Sequence, residues 1–275
     1  MASSFDLVSL ADLKSWLDIT GTDDDALLAR LITQLSRAIL NVIDRPGILP
    51  QVYAEAYDGG YDVSILLRQW PVNKINTCIV DGRAISPSSP IVGDPGARPG
   101  YVLDPPGEAP PGAMQRLSLR GSLFTIGIQN VMISYSAGYQ ITNEPAMIPT
   151  SFPYSISAKA PYGKWASDVG VVYSNDVPLI GVTGTPAAGQ YMVLDGVYSF
   201  AAADADASVF LSYGYVPADL ASCCMDWAAE RYSYRSRIGQ HSKSLGGQET
   251  LAFIVKAIPD FAASALAPYR RVVMP

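Results

Sequence analysis

The polar stretch RSRIGQHSKSLGGQE, residues 235–249, combines residue types that often carry out chemistry. It contains the chain's single histidine, His241, together with a Lys-Ser pair and three glycines. A histidine can act as a general base for a nucleophile, and a glycine-rich Lys-Ser loop can bind phosphate through backbone N–H groups. The stretch could therefore belong to an active site, a nucleotide site or a protein–protein contact.

The surrounding sequence argues against both kinds of chemistry. A phosphate-binding loop has glycine before its lysine and follows a strand, whereas Ser242 precedes Lys243 and the predicted preceding element is a helix. His241 lies in a polar loop, and the chain contains no Gly-x-Ser-x-Gly nucleophile motif. No cluster of Cys and His residues indicates a zinc site. We therefore expect no catalytic residue, no metal and no cofactor.

Two further features leave an enzyme or a sugar-binding protein open. Asp204 and Asp206 form an Asp-x-Asp pair, but a turn before a strand at 208–212 is favoured over a calcium loop. Glycoside hydrolysis needs two carboxylates whose separation only the fold can set. Aromatic residues on predicted strands could line a sugar site, although core packing explains most of them: Tyr191, Tyr198, Phe200, Tyr213 and Tyr215.

Composition predicts a β-rich protein with a sizeable core. Of the 275 residues, 49% are hydrophobic and only 16% are charged, and the chain contains 23 Gly and 21 Pro. Three cysteines are too few for a disulfide framework, so we expect buried, reduced thiols. No apolar run approaches the ~20 residues needed to cross a bilayer, and the start has no basic signal region. We expect no membrane contact.

Charge is distributed unevenly along the chain. Residues 1–220 contain 12 basic and 21 acidic groups, whereas residues 221–275 contain 7 basic and 4 acidic groups. An acidic body with a basic end favours head-to-tail contacts, or a basic surface beside an anion.

The periodicity of apolar residues predicts helices at both ends and strands between them. Helices are expected at 11–17, from a cap at Thr22 to residue 44, from Pro217 to Arg237 and at 261–266. Strands are expected at 53–57, 64–68, 75–80, 101–103, 116–119 and 131–135. This order predicts an α+β fold in which the terminal helices pack as a small helical bundle with inserted antiparallel β-sheet modules.

An internal similarity lies within the β-rich part. The sequence VMISYSAGY at 131–139 resembles VFLSYGY at 209–215, with an offset of 78 residues, and each copy precedes a proline-marked sequence typical of a helix start, at Pro145 and Pro217. We interpret this as a duplicated or inserted β-module. The expected division is 1–50 and 216–275 for the helical core, 51–139 for a β-rich insertion and 140–215 for the extra module.

Three blocks of sequence resemble one known family. They are SLADLKSWLDITGTDDDALLARLITQLSRAILNVIDRP, YAEAYDGGYDVSILLRQWPVNKINTCIVDG and YVPADLASCCMDWAAERYSYRSRIGQHSKSLGG, the last followed by the ending LAPYRRV. In order and character they are similar to the head–tail connector proteins, also called adaptor or head-completion proteins, of long-tailed double-stranded DNA bacteriophages. The stretch 140–215 is additional to the family's usual pattern.

The resemblance implies a non-enzymatic structural protein of the virion neck, assembled in the cytoplasm of the bacterial host. It implies a dodecameric ring that docks on the portal protein, extends the DNA channel and supports the stopper or tail. The implied portal-docking residues are Ser244, Leu245, Gly246, Gly247, Tyr269, Arg270, Arg271 and Val272.

Three cations complete the predicted contact residues. Arg235, Arg237 and Lys243 are candidates for contact with an acidic partner or with passing DNA, which they would bind without reading its sequence. Solvated cations at a helix end are the alternative interpretation. Two other functions stay open: a tail or baseplate module that binds host glycan through 140–215, and a virion-associated glycosidase.

Overall fold

The computed structural model describes residues 5–89, 98–105, 114–235, 242–245, 249–252 and 258–271. The predicted α+β class is confirmed. The four α-helices of the described residues are α1 (Leu10–Trp16), α2 (Asp25–Val42), α3 (Ala218–Tyr234) and α4 (Asp260–Leu266). Within these ranges, no helix is long and apolar enough to span a membrane.

The chain forms two compact units. The helical unit consists of Met1–Gly47 and Ala218–Val272, and the β unit is built from Ile48–Pro217. The helical unit thus combines both ends of the sequence.

Helices α1 and α2 form where the sequence predicts them. The Ser9 hydroxyl accepts a hydrogen bond from the Asp12 backbone N–H and donates one to the Asp12 carboxylate, which fixes the start of α1. Along α2 the apolar residues recur every three or four positions, and the resulting stripe is buried: Leu28, Ile32, Leu35, Ile39 and Leu40. Burial of this stripe stabilises α2 in the unit.

The expected cap of α2 is wrong by two residues. The helix begins at Asp25 rather than directly after Thr22, and Asp24 occupies the cap position without a capping hydrogen bond from its side chain. The reason is that Tyr232 and Arg235 compete with the backbone of α2 for the Asp24 carboxylate, which accepts their hydrogen bonds instead of capping the helix.

Helix α3 packs on α2 through small polar side chains as well as apolar ones. The Ser36 hydroxyl and the Cys224 sulfur lie 3.8 Å apart, and both residues are buried. Cys78, Cys223 and Cys224 are all free and buried, as expected. Burial raises the pKa of Cys224 to about 12, so its thiol stays protonated at neutral pH. Helix α3 ends at Tyr234, and Arg237 lies outside the described residues.

The first half of the β unit, here called the first module, contains seven strands around one core. They form the antiparallel sheets β1-β7-β3-β4 and β2-β6-β5. The strands are β1 (Gln51–Gly59), β2 (Ser64–Leu66), β3 (Val72–Val80), β4 (Arg83–Ala84), β5 (Gly100–Asp104), β6 (Arg116–Arg120) and β7 (Gly127–Ala137).

The other half, the second module, has its own core and two further sheets, β8-β14-β10 and β9-β13-β12-β11. All its strand pairs are antiparallel except the short pair β11–β12. The strands are β8 (Gln140–Met147), β9 (Ser155–Ser157), β10 (Gly163–Tyr173), β11 (Ile180–Gly181), β12 (Gln190–Leu194), β13 (Val197–Phe200) and β14 (Ser208–Pro217).

The expected helix start at 144–147 is wrong, because these residues belong to strand β8. Pro145 is compatible with a strand here, since β8 is an edge strand and Pro145 is exposed. Glu144 points the other way, is only 7% exposed and accepts a hydrogen bond from the Tyr213 hydroxyl. Tertiary contacts thus outweigh the local helix-start pattern.

Part of the stretch 235–249 forms a β-hairpin rather than an irregular segment. Strands β15 (Ser242–Leu245) and β16 (Glu249–Ala252) pair in antiparallel register from Ser242 opposite Ala252 to Leu245 opposite Glu249. His241 lies outside the described residues.

Candidate assembly surfaces of the helical unit

The predicted contact residues fall into three groups. Tyr269, Arg270, Arg271 and Arg235 have described side chains within the helical unit. Ser244, Leu245 and Lys243 are placed through their backbone in strand β15. The remainder lie outside the described residues: Gly246, Gly247, Val272 and Arg237.

Arg235 follows α3 and is held by the start of α2. Its guanidinium donates to both carboxylate oxygens of Asp24, at 2.8 and 3.2 Å, in the bidentate arrangement favoured by arginine. Tyr232, one turn earlier on α3, donates its hydroxyl to Asp24 Oδ2 at 2.5 Å, and the Arg235 guanidinium carbon lies 4.5 Å from the Tyr232 ring centre. Hydrogen bonds from Arg235 and Tyr232 lower the pKa of Asp24.

This arrangement changes the interpretation of Arg235. Its side chain is 49% exposed, so it can still meet a partner, but one of its faces is occupied by Asp24. The cluster also explains why Asp24 does not cap its own helix. We therefore regard Arg235 first as a tie between α2 and α3, and its contact with DNA or an acidic partner stays a prediction.

The C-terminal segment is fastened to the helical unit. Tyr269 is 2% exposed, and its hydroxyl donates to the Asp219 carboxylate at the start of α3. The Arg271 backbone N–H donates to the Ile43 carbonyl at 2.8 Å, and Arg271 Nε donates to Asp44 Oδ2 at 3.0 Å. The segment therefore closes the end of α2.

Tyr269 is consequently buried in this structure, and its role as a portal-docking residue stays a prediction. To reach a portal protein it would have to leave a buried site and break its bond to Asp219. Arg270, in contrast, is exposed and lies between two residues that hold the segment in place. Arg270 is thus the cation of this segment whose side chain is best placed for a partner.

Sequence reasoning missed the acidic partners of these residues. Asp24, Asp44 and Asp219 each bind a residue near the C-terminus, and two of the three pairs join positions more than 200 residues apart. The acidic N-terminal part and the basic C-terminal part were visible in the sequence as a difference in charge. The pairing itself depends on the fold.

The features that left an enzyme or a sugar site open have structural roles. Tyr191, Tyr198, Phe200, Tyr213 and Tyr215 are all at most 5% exposed, so none of these rings is available to stack on a sugar. Asp204 is 8% exposed and accepts hydrogen bonds from the Tyr173 hydroxyl at 2.8 Å and the Gly189 N–H at 3.1 Å. Within the described residues, no group of three or more His, Cys, Asp or Glu side chains is arranged to hold a metal ion.

Residues 7–68 match the model of the phage gp6-like head–tail connector protein family. The resemblance to phage head–tail connectors is confirmed. The matched connector segment contains α1, α2, β1 and β2. The match supports a structural role in the neck of a phage particle.

No curated protein matches the chain significantly. Among solved structures, a chain in the neck of an empty GTA particle, computed with C6 symmetry, is 14% identical and aligns over 100% of this chain and 95% of that chain, with a TM-score of 0.42. A TM-score of this size is too low to establish a common fold.

Proposed function

We propose that the chain is a structural, ring-forming adaptor between the head and the tail of a phage particle. It docks on the portal protein, continues the DNA channel and gives the stopper or tail a platform. The observation that carries the proposal is the connector match over 7–68, because it covers the two helices that organise the helical unit.

The closure of the helical unit supports an adaptor role for both ends of the chain. The last described residues bind the end of α2 through Ile43 and Asp44. The segment that carries Arg270 is therefore positioned by the connector helices themselves. A positioned cation is suited to an acidic protein surface, because its side chain loses little additional freedom on binding.

Contact with DNA in the channel requires only weak and sequence-independent attraction. Lys and Arg side chains provide this by neutralising phosphates, and such binding weakens steeply as salt increases. The chain's net charge of −6 limits this attraction to local basic surfaces in the C-terminal part. Genomic DNA is therefore proposed as a transient contact, with portal and neck proteins as the lasting partners.

Portal docking is tested best by changes that leave the helical core intact. Truncation after Arg237 would also remove Leu266 and Tyr269, which are buried, and would confuse docking with folding. Truncation after Arg271 and the charge reversals Arg270→Glu and Lys243→Glu avoid this. Arg30→Glu, on an exposed position of α2, is the matched control.

We expect the wild-type chain and the Arg30→Glu control to co-sediment with purified portal rings. Arg270→Glu and Lys243→Glu should each reduce this binding at least ~10-fold, as the loss of a charged interface contact does. The truncation, which removes the proposed docking residue Val272, should also reduce it. Undiminished binding of all three variants would reject the proposed docking segment. Failure of the wild-type chain to bind any portal assembly from its own particle would reject the adaptor function.

A further inference from the structure

The two β-modules share one topology. In the first module the central strand β7 lies between β1 and β3, and β6 lies between β2 and β5. In the second module β14 lies between β8 and β10, and β13 lies between β9 and β12. Six strands of the second module thus occupy the position of the strand seven places earlier in chain order, and the short strand β11, which pairs with β12 rather than β10, is the exception.

The register of the strands agrees residue by residue. In β3 the pairing with β7 shifts by one residue between Val72 and Lys74 and again between Ile75 and Thr77. In β10 the pairing with β14 also shifts at two places, between 165 and 167 and between 168 and 170. The β14 residues opposite these shifts lie 78 positions after the β7 residues opposite the shifts in β3. A bulge is a specific feature of a fold, so two bulges at equivalent positions indicate that the two modules share one strand arrangement.

A buried tyrosine is held in the same way in both modules. Tyr135 donates its hydroxyl to Glu55 on the neighbouring strand at 2.6 Å and accepts the Gln69 N–H at 3.1 Å. The equivalent Tyr213 donates to Glu144 at 2.6 Å and accepts the Ala160 N–H at 2.9 Å. We call this arrangement the tyrosine latch. It supports the interpretation of the second module as a copy of the first.

Each copy turns one sheet face away from its core. Val131, Ile133 and Tyr135 of β7 are buried, so Met132, Ser134 and Ser136 point to the opposite side. Their cross-strand partners complete the first face, which consists of Val52, Ala54, Ala56, Lys74, Thr77, Ile79, Met132, Ser134 and Ser136. Lys74 is its single charged residue.

The residues of the equivalent second face around Phe210 carry no charge, and Lys164, opposite Val216, lies beyond them near the start of β10. The face is centred on Phe210, which lies opposite Pro145 on β8 and Val172 on β10. Ser212, opposite Gly170, continues it. One charge in two such faces is low even for a chain with 16% charged residues, since the solvated face of an antiparallel sheet is usually polar.

These faces are accessible and apolar in part. Val52 is 67% exposed and Met132 is 50% exposed, while Phe210 is half-buried. Small side chains such as Ala54, Ser134 and Gly170 allow two sheets to approach at the usual ~10 Å. Packing one face on the other would bury apolar area with little cost for removing charges from water.

We propose that the first face of one copy of the chain packs against the second face of the next copy. The chain itself offers the fitting occupant, an uncharged sheet face of the same shape. Because the contact joins two different surfaces of one chain, it is head-to-tail and propagates into a ring when the rotation closes. The inference rests on the proposed ring-forming function and identifies the surface by which the ring forms.

Charge insertion at equivalent positions tests the contact. Met132→Arg alters only the first face, and Phe210→Arg alters only the second. The matched controls, Val63→Arg and Ile180→Arg, place the same charge on residues that are 57% and 65% exposed outside these faces. A second variant is available for each face in case Phe210→Arg disturbs the core: Ala54→Arg for the first face and Pro145→Arg for the second. Both positions are exposed.

Sedimentation velocity and native mass spectrometry provide the readout, with thermal unfolding as the check on folding. The wild-type chain and both controls should form closed oligomers larger than a dimer. Each face variant should weaken self-association at least ~100-fold, because it buries an unpaired charge. The decisive arm is an equimolar mixture of Met132→Arg and Phe210→Arg, which should form a dimer containing one of each and nothing larger.

The outcomes separate this inference from the proposed function. Folded face variants that assemble like the wild-type chain, or a mixture that does not form the mixed dimer, overturn the face-to-face contact and leave the ring-forming adaptor standing. A wild-type chain that stays monomeric at all concentrations, and on its portal, overturns both.

Discussion

At the scale of single residues, acidic side chains at helix ends hold the helical unit together. Asp24, Asp44 and Asp219 bind Arg235, Arg271 and Tyr269 respectively. Within the aspartate run at the start of α2, Asp24 therefore has its partners in the C-terminal part of the chain, whereas Asp25 pairs with Lys14 of α1.

The Asp24 cluster predicts a specific dependence on pH. Hydrogen bonds from Arg235 and Tyr232 hold the pKa of Asp24 below its ordinary value of 3.8. A carboxyl group whose pKa is lowered in the folded state stabilises the protein above its unfolded pKa, and this contribution is lost as the pH falls through the folded pKa. Asp24→Asn should therefore lower stability at neutral pH and make the loss of stability in acid less steep.

Urea unfolding from about pH 7 to about pH 2 measures this effect. Asp23→Asn is the matched control, since Asp23 is an exposed neighbour just before the same helix. We expect the midpoint of Asp23→Asn to follow the wild-type curve. Identical curves for the two variants would contradict the assigned role of Asp24.

At the scale of elements, the sequence was most informative where periodicity was long. The 18-residue helix α2 and the strands β1, β3 and β7 of the first module lie where apolar spacing placed them. The misassignment at 144–147 came from a proline whose position at a sheet edge is set by long-range pairing. Between β8 and β14, the strands that carry Tyr191, Tyr198 and Phe200 were predicted, whereas β9, β10 and β11 were missed, although the Ser-Tyr repeat pointed to the module.

The candidate site was only partly predictable. A basic C-terminal surface followed from the charge distribution, but the burial of Tyr269 did not, because its partner Asp219 lies 50 positions away in sequence. The shared topology of the modules was likewise invisible in all but one strand.

The tyrosine latch predicts that removing the tyrosine hydroxyl lowers the free energy of unfolding similarly in the two modules. Tyr135→Phe and Tyr213→Phe should each lower the free energy of unfolding by about 1–3 kcal/mol, because a glutamate and a backbone N–H lose their partner. Denaturant unfolding measures the change. Tyr61→Phe, at a residue that is 64% exposed, should change it by less than ~0.5 kcal/mol. Unchanged stability in either latch variant would contradict the arrangement.

At the scale of the whole molecule, the two ends of the second module lie next to each other. The Tyr215 N–H donates to the Tyr139 carbonyl at 3.1 Å, and the two rings pack edge to face with centroids 5.8 Å apart. An insertion with adjoining ends can be added to a fold without disturbing its remainder. We propose that 140–215 is such an insertion and that it provides the second face.

Excision of 140–215, which joins Tyr139 to Val216, tests that proposal. We expect a folded chain that keeps the helical unit and the first module, measured by circular dichroism and by cooperative thermal unfolding. Because it lacks the second face, it should not form rings by itself. An unfolded or aggregated product would show that the second module is an integral part of the fold.

A cryo-electron microscopy reconstruction of the neck, from particles that contain this chain, tests the central claim most directly. The proposed adaptor function predicts a closed ring of the chain between the portal and the next neck or tail protein. The face-to-face inference predicts in addition that successive copies are joined through their β-modules. Density for the chain at the baseplate or along the tail, with none at the head–tail junction, would contradict it.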